Sequence, residues 1–393
     1  MIEKALSGSR SYWAWLGFLA VIIGVGVLAY LKQYTEGLTV TGLSRDVPWG
    51  FYIAQFTFLV GVAASAVMVV LPYYLHDYKA FGKLAILGEF LAIPAVLMCM
   101  LFIFVDMGQP LRVLNIMLHP TPNSLMFWDM MVMFSYLTVN VIISQVTFGA
   151  ERKGVAPPAW VRPLVYFSIP LAISIHTVTA FLYSGLAARP FWLTAILAPR
   201  FLASAFASGP SLLILLCLIL RRVSTFDAGD KAIGKLSEIV TYAMAVNVFF
   251  VLLEIFTAIY SSIPEHVEHF RYLYLGIGEH KFLVPWMWGS SLLAGLALLL
   301  LLFPRTRRRE LTLAIACMSV VGSLWIDKGL GMVITGFVPS PLGRVTEYAP
   351  SPVELMITFG VYGVGAFVLT ILYKVAISVR EADPALLHGS PSH

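Results

Sequence analysis

Long apolar stretches follow one another along the whole chain, each of about 20 residues or more, which is the length needed to cross the hydrocarbon core of a bilayer. Ten stretches are separated by connections that contain most of the charged residues. They cover residues 12–31, 51–75, 84–105, 124–148, 163–186, 194–220, 236–261, 282–303, 311–337 and 352–379. The pattern predicts an all-α integral membrane protein in which residues 1–393 form a single membrane domain.

Composition supports this prediction and excludes a soluble fold. Hydrophobic residues make up 59% of the 393 residues and charged residues 12%, which is about half the charged fraction of an ordinary soluble domain. The first stretch has no small-residue cleavage site after Leu31. We therefore expect a retained helix there rather than a signal peptide that is removed.

Basic residues are unevenly distributed between the two ends of the predicted helices. The termini and the even-numbered connections hold 17 of the 26 Lys and Arg residues, and the odd-numbered connections hold 8, with Arg200 counted among them. Lys328 is left as the only basic residue expected inside a helix. Because Lys and Arg favour the cytoplasmic side, the sequence predicts a cytoplasmic (inner) membrane protein with both termini in the cytoplasm. The net charge of +5 then reflects orientation, and no nucleic-acid partner is expected.

Cysteine and histidine positions argue against a bound redox centre. Cys99, Cys217 and Cys317 lie in apolar stretches without paired spacing, so neither a disulfide nor an iron–sulfur cluster is expected. His176 is the only histidine well within a stretch, and a transmembrane haem needs a pair. Glu265–His269 has ligand-type side chains but is expected to be a solvated loop. We expect no haem, cluster or metal in this chain.

Ionisable groups at membrane depth are costly to bury and are therefore functional candidates. A series of such groups could form a proton path or a protonatable ligand site. The proton-path candidates are Glu89, Asp129, Glu254, Asp327, Lys328 and Glu354. Because successive helix residues do not face each other, Asp327 and Lys328 are each expected to find a partner on another helix. For any one member, a structural hydrogen bond between helices is the alternative.

The connection from Asp106 to Asp129 is the densest group of polar residues. It combines two carboxylates with the Asn123 amide and the Trp128 indole. A quinone head group needs hydrogen-bond donors, a titratable group and an apolar slot open to lipid, and this segment could supply them. The alternative is a loop that only starts the fourth helix, with Trp128 in the interfacial aromatic belt.

An internal repeat is indicated by matching positions in two halves of the chain. Residues 58–65 resemble residues 201–208, and His176 and Asp327 each precede a glycine by nine residues. This predicts two four-helix bundles, spans 2–5 and 6–9, with helices 1 and 10 flanking them. Because the sequence is so apolar, chance similarity between the two halves is the alternative.

Several short motifs occur together in a fixed order. They are Val47-Pro48-Trp49-Gly50, Asp106-Met107-Gly108, Asn123-Ser124 with Phe127, His176 before Gly185, Glu254, and Pro352-Val353-Glu354-Leu355. With these motifs the chain resembles the polysulfide reductase/NrfD family of membrane subunits in its long, ten-helix form. It looks most like the DsrP type, the membrane partner in the DsrMKJOP complex, which is related to HybB.

The resemblance implies a quinone-interacting subunit without a bound cofactor. It would exchange electrons between membrane quinone, expected to be menaquinone, and an iron–sulfur ferredoxin-like subunit on the outer face. Further expected partners are a multihaem cytochrome c and a second membrane or cytoplasmic redox module, with a role in sulfur metabolism. The implied quinone-site residues are Tyr52, Gln55, Asp106, Asn123, Trp128 and His176.

Three functions are therefore carried forward. The first is quinone-linked electron transfer as a subunit of an oxidoreductase complex, not catalytic alone and with proton translocation as a further step. The second is proton or ion translocation through the buried carboxylates. The third is a membrane anchor with no quinone chemistry of its own.

Overall fold

The computed structural model describes residues 8–63, 66–76, 78–153, 155 and 157–382. In this part of the chain, ten helices are long and apolar enough to cross a membrane, which confirms the predicted number. We number them α1 to α10 in chain order. Their bounds are Arg10–Glu36 (α1), Phe51–Ala63 continued by Val67–Leu75 (α2), Gly82–Asp106 (α3), Leu125–Arg152 (α4), Val161–Ser184 (α5), Leu197–Val223 (α6), Asp230–Ser261 (α7), Val284–Leu302 (α8), Glu310–Thr335 (α9) and Pro352–Ala382 (α10).

Successive spanning helices run in opposite directions, so the connections alternate between two faces. The loop face is defined here by residues 37–50, 107–124, 185–196, 262–283 and 336–351. The opposite face, which carries the start of α1 and the end of α10, is the terminal face. That the terminal face lies on the cytoplasmic side of the membrane remains a prediction.

The helices form the two predicted bundles. Helices α2 to α5 pack together and helices α6 to α9 pack together, while α2 joins the bundles through α6 and α9. Every residue of α2 from Phe51 to Ala63 is buried. A helix that is apolar on all sides is expected in such a central position.

Helices α1 and α10 pack against each other, and α10 also packs against α3. At their crossing, a Cβ atom added to Gly26 would lie 2.5 Å from the Gly360 Cα atom. Small residues let membrane helices approach this closely. The flanking helices therefore form a pair held by backbone contact.

Helix α9 changes its winding in the half that is nearer to the loop face. Residues Trp325–Gly331 form a π-helix between two α-helical segments. Such wide turns are uncommon and often mark functional positions. Asp327 and Lys328 lie in this segment, so the two charged residues in the interior of α9 emerge from an irregular part of the helix.

Candidate functional site

Tyr52 lies in the first turn of α2 and is completely buried. Its hydroxyl donates to Gln33 Oε1 at 2.7 Å, and Gln33 Nε2 donates to the Val105 carbonyl at 2.6 Å. These two bonds connect α2 to the ends of α1 and α3. Gln33 was not among the predicted site residues, because it falls two residues beyond the predicted stretch 12–31, whereas α1 continues to Glu36.

Asp106, the last residue of α3, follows Val105 directly and thus lies beside this chain of bonds. Its Oδ1 atom is buried and has no hydrogen-bond partner in the described part of the chain. The carboxylates of Asp106 and Glu354 lie within electrostatic range of Tyr52. A buried carboxylate oxygen without a partner is costly, so Asp106 has bonding capacity that nothing around it satisfies.

Gln55 is one helical turn further along α2, on the same face as Tyr52. Its Oε1 atom accepts from Trp325 Nε1 and from the Tyr362 hydroxyl, each at 2.7 Å. Its Nε2 atom is buried and without a partner among the residues described. We call Tyr52, Gln55 and Asp106 the loop-face cluster, which therefore holds one unused acceptor and one unused donor.

Glu354 borders this cluster at the start of α10 and is fully buried. It accepts from the backbone N–H groups of Gly42 at 2.7 Å and Ser351 at 2.8 Å, and from the Tyr348 hydroxyl at 2.6 Å. Tyr348 in turn accepts from Phe51 N at 2.8 Å. Burial and the Glu354 carboxylate raise the pKa of Tyr348 well above its ordinary value, so the phenol keeps its proton. Glu354 thus anchors the connection before α2.

Asn123 and Trp128, the other two predicted residues of the Asp106–Asp129 connection, are exposed. The Trp128 indole donates to the Pro122 carbonyl at 2.7 Å. Together they shape the start of α4. Asp129 is different, because it is buried and accepts from the Thr179 hydroxyl of α5 at 2.6 Å.

His176 lies deeper, on α5, and is completely buried. Its Nδ1 atom bonds the Ala172 carbonyl at 2.7 Å, while within the described structure its Nε2 atom has no hydrogen-bond partner. Its neighbours include the backbone of Val60 and the charge of Lys328. His176 is therefore placed beside the interface of the two bundles.

Lys328 reaches the same interface from α9. Its Nζ atom lies 4.2 Å from the centre of the Phe201 ring, an arrangement that stabilises a cation. A Cβ atom on Gly61 would come within 3.4 Å of this nitrogen. Nζ has no hydrogen-bond partner in the residues that the structure describes.

Arg200 is the functional candidate that the sequence analysis missed. It was counted with a connection, but it lies buried in α6. Its guanidinium donates to both oxygens of Asp327, at 2.8 and 2.7 Å, and also to Glu254. The expectation that Lys328 is the only basic residue in a helix interior is thus wrong. The expectation that Asp327 and Lys328 each meet another helix holds, since both contact α6.

Glu89, the remaining proton-path candidate, is buried in the first bundle. Its partner is the Ser144 hydroxyl, which donates at 3.4 Å. This is a long bond, and the Arg200 guanidinium is occupied by Glu254 and Asp327 in the other bundle. The structure therefore does not join Glu89 to the Arg200 group.

The segment expected to be a solvated loop is a helix, Pro264–Tyr274. His269 is buried in it, and its Nδ1 atom lies 3.0 Å from the Val338 carbonyl, to which it donates as the neutral tautomer. Burial lowers the pKa of His269. The loop expectation was wrong because this segment packs under the 336–351 connection. Among the described residues, no group of three His, Cys, Asp or Glu side chains converges as metal ligands.

Comparison with known proteins adds a family match. Residues 39–339 match the family described as polysulphide reductase, NrfD. The chain is 26% identical, over 90% of its length and 89% of the relative's, to a Halobacterium salinarum protein provisionally named as a membrane subunit of dimethyl sulfoxide reductase. It is 25% identical to the Hdr-like menaquinol oxidoreductase integral membrane subunit of Archaeoglobus fulgidus, over 64% and 62% of the two chains. It is 21% identical to the menaquinone reductase integral membrane subunit of Nitratidesulfovibrio vulgaris, over 95% and 93%.

Proposed function

The chain belongs to the polysulphide reductase, NrfD family, and from that premise we propose that it binds the head group of a membrane quinone at the loop-face cluster. It is a membrane subunit of the quinone oxidoreductase type. Two relatives are named for menaquinol or menaquinone, which supports menaquinone as the quinone.

The observation that carries the proposal is the pair of unused bonding atoms beside Tyr52. A quinone carbonyl requires a donor, which Gln55 Nε2 can supply, and a quinol hydroxyl requires an acceptor, which Asp106 Oδ1 can supply. Both atoms are buried and without partners within the described residues. Since a buried polar group without a partner is unfavourable, a ligand that satisfies both would be stabilised there.

The chemistry of the proposed reaction follows from these positions. When a quinol is oxidised to a quinone, its two electrons leave for a partner and its two hydroxyl protons must be accepted, the first by the Asp106 carboxylate and the second by water at the loop face. We place the electron acceptor or donor, an iron–sulfur ferredoxin-like subunit, on the loop face, because Tyr52, Gln55 and Asp106 all lie near that end of their helices. The loop face is then the outer face of the cytoplasmic membrane, as the basic residues predict.

The finer assignments remain part of the proposal. They include a multihaem cytochrome c and a second redox module as further partners, the DsrP type, and a role in sulfur metabolism. Co-purification of the native complex, followed by identification of its subunits, tests each of them directly.

Variants at the loop-face cluster test the quinone site. We expect Asp106→Asn to lower quinol-linked electron transfer by about a hundredfold or more, the usual effect of losing a positioned proton acceptor. Glu36→Gln is the control, since Glu36 is an exposed carboxylate at the loop-face end of α1. Activity is measured with a short-chain menaquinol in the assembled complex, and co-purification of the partner subunits shows that assembly is retained.

Gln55→Leu provides an independent variant that leaves the Asp106 carboxylate in place. Full activity in both Asp106→Asn and Gln55→Leu would overturn the site assignment. If the wild-type complex binds no quinone at all, the function that remains is that of a membrane anchor.

A second candidate function is proton transfer through the second bundle. It is supported by the buried residues Arg200, Asp327 and Lys328 and by the partly buried Glu254, because groups of this kind inside a membrane mark proton routes in many proteins. The test is quinol-driven turnover of the complex in sealed vesicles with a pH-sensitive dye inside. Turnover without a change in internal pH would leave these residues with a structural role.

A further inference from the structure

A cleft lies between α7 and α8 in the second bundle, with Ser323 and Asp327 of α9 also lining it. Its volume is about 630 Å³, within the range of small-molecule sites. Its walls are apolar and include Val251, Ile255 and Leu298. Leu252 and Trp288, which also line it, are more than half exposed. In a membrane these side chains face lipid, so the cleft opens to the hydrocarbon core.

The inner end of the cleft is polar. Asn247, Ser290, Ser323 and Asp327 line it there. Asn247 lies about midway along α7, which places these groups near the middle of the membrane. An apolar groove with polar groups at its deepest point is suited to a ligand that has a polar head and a lipophilic tail.

Asn247 is the group that points to a ligand. Its side chain is 97% buried, since only 3% of its surface is exposed, and it lines the cleft. Its Oδ1 atom has no hydrogen-bond partner in the described chain. An amide offers both a donor and an acceptor, so Asn247 can bond a carbonyl oxygen or a hydroxyl group.

The charge at this end of the cleft limits what can bind. Asp327 lines the cleft, but both of its oxygens are held by Arg200, which also binds Glu254. The carboxylate is thus already paired with a cation. A charged head group would have to be desolvated there without a free counter-charge, which is unfavourable. The geometry therefore favours an uncharged head.

We propose that the α7/α8 cleft is a second binding site, which takes the head group of an isoprenoid quinone or quinol. The head bonds Asn247, and the tail leaves between α7 and α8 into the bilayer. A phospholipid has the opposite arrangement, because its charged head stays at the membrane surface and only its tails reach this depth. The inference shares a ligand class with the proposed function but does not depend on the loop-face cluster.

Two glycines of α8 provide a matched pair of variants. Gly295 lines the cleft, and nothing lies within 4 Å of a Cβ atom added to it. The Cβ atom of Gly295→Leu therefore meets no neighbour, and the leucine side chain takes up part of the cleft. Gly289 has equally open surroundings but does not line the cleft, so Gly289→Leu is the control. Both substitutions replace a glycine within a helix and are expected to be tolerated.

The experiment uses the full-length protein in lipid nanodiscs with a short-chain menaquinone that carries a photoreactive diazirine on its tail. After illumination, mass spectrometry identifies the labelled peptides. We expect labels on α7 or α8 in the wild type and in Gly289→Leu, and their loss in Gly295→Leu. Asn247→Leu should weaken labelling about fivefold, the effect of one net hydrogen bond. Unlabelled menaquinone should compete.

Three results would overturn this site. They are equal labelling of α7 and α8 in Gly295→Leu and Gly289→Leu, no labelling of these helices in the wild type, and competition by phosphatidylglycerol but not by menaquinone. The last would identify a phospholipid, with Arg271 at the loop-face end of the cleft as the phosphate contact. The same digest also reports labels on α2 and α3, which belong to the loop-face cluster. Asp106→Asn should change the labelling of α2 and α3 and leave that of α7 and α8 unchanged. The two proposed sites are thus tested separately.

Discussion

The Arg200 guanidinium holds both carboxylate oxygens of Asp327, although 127 residues separate the two in the chain. Glu254 binds the same guanidinium from α7. One cation thus connects α6, α7 and α9 in the interior of the second bundle. Removing one member of such a group leaves an uncompensated charge, which is more costly than the loss of a surface pair.

Arg200→Met should destabilise the protein by about 3–5 kcal/mol, because two buried carboxylates lose their cation. Thermal unfolding of the purified protein in detergent measures this. Arg222→Met is the control, since the Arg222–Glu310 pair is 4.0 Å long and its side chains are 73% and 40% exposed. Its effect should not exceed about 1 kcal/mol. Equal unfolding temperatures for the two variants would contradict the structural role of Arg200.

Glu354→Gln should loosen the connection between α1 and α2. A carboxylate accepts from all three of its donors, whereas an amide turns an NH₂ group toward one of them, at a cost of about 1.5–3 kcal/mol. Hydrogen exchange of residues 42–52 should become faster in this variant. Glu36→Gln, at an exposed position, should leave the exchange rates unchanged. The same rates in both variants would show that Glu354 does not hold this connection.

The stability of the loop face should decrease in mild acid because of His269. Burial lowers the pKa of this imidazole in the folded protein, whereas an unfolded histidine has a value of about 6.5. Below that pH the unfolded state takes up a proton that the folded state does not, so stability falls as the pH falls. Above it, both states are neutral, and this group contributes no pH dependence.

Thermal unfolding between about pH 7.5 and pH 5.5 measures the effect, since this range spans the ordinary histidine value. His269→Gln should have a smaller decrease than the wild type, because glutamine can still donate to the Val338 carbonyl but does not titrate. His119→Gln, at an exposed position, should behave like the wild type. An unchanged slope in His269→Gln would exclude His269 as the cause.

Gly26→Leu should separate α1 from α10. The added side chain would overlap the backbone of Gly360, whereas nothing lies within 4 Å of a Cβ atom on Gly24. Gly24→Leu is therefore a control on the same helix. Cysteine cross-linking between α1 and α10 measures their contact, and the yield should fall in Gly26→Leu only. Equal yields would show that the Gly26–Gly360 contact does not hold the pair.

The spanning helices could be predicted because the signal is local: each has its own apolar stretch. The predicted positions of the helix ends were less accurate. Helix α7 begins at Asp230 instead of residue 236, because a helix can continue into the interface, where charged residues such as Lys231 and Lys235 are solvated. The length of an apolar stretch predicts the part of a helix that crosses the hydrocarbon core, but it does not predict the polar turns that extend the helix beyond it.

The structure brings together only some of the six residues predicted for the quinone site. Tyr52, Gln55 and Asp106 form the loop-face cluster, whereas Asn123 and Trp128 are exposed and His176 lies deeper, on α5. Proximity in sequence does not set the direction of a side chain. Arg200 was missed although it falls inside the predicted span 194–220, because its partners come from distant helices. The π-helical turn of α9 has no simple sequence pattern, and it decides where Asp327 and Lys328 point.

The contact between Gly26 and Gly360 has a consequence for biosynthesis. Eight spanning helices lie between α1 and its main partner α10 in the chain, so α1 must remain in the bilayer without that partner while those eight helices are inserted. Because those eight helices form both bundles, the loop-face bond between Tyr52 and Gln33 can form early, whereas the contact with α10 forms only after α10 has been inserted.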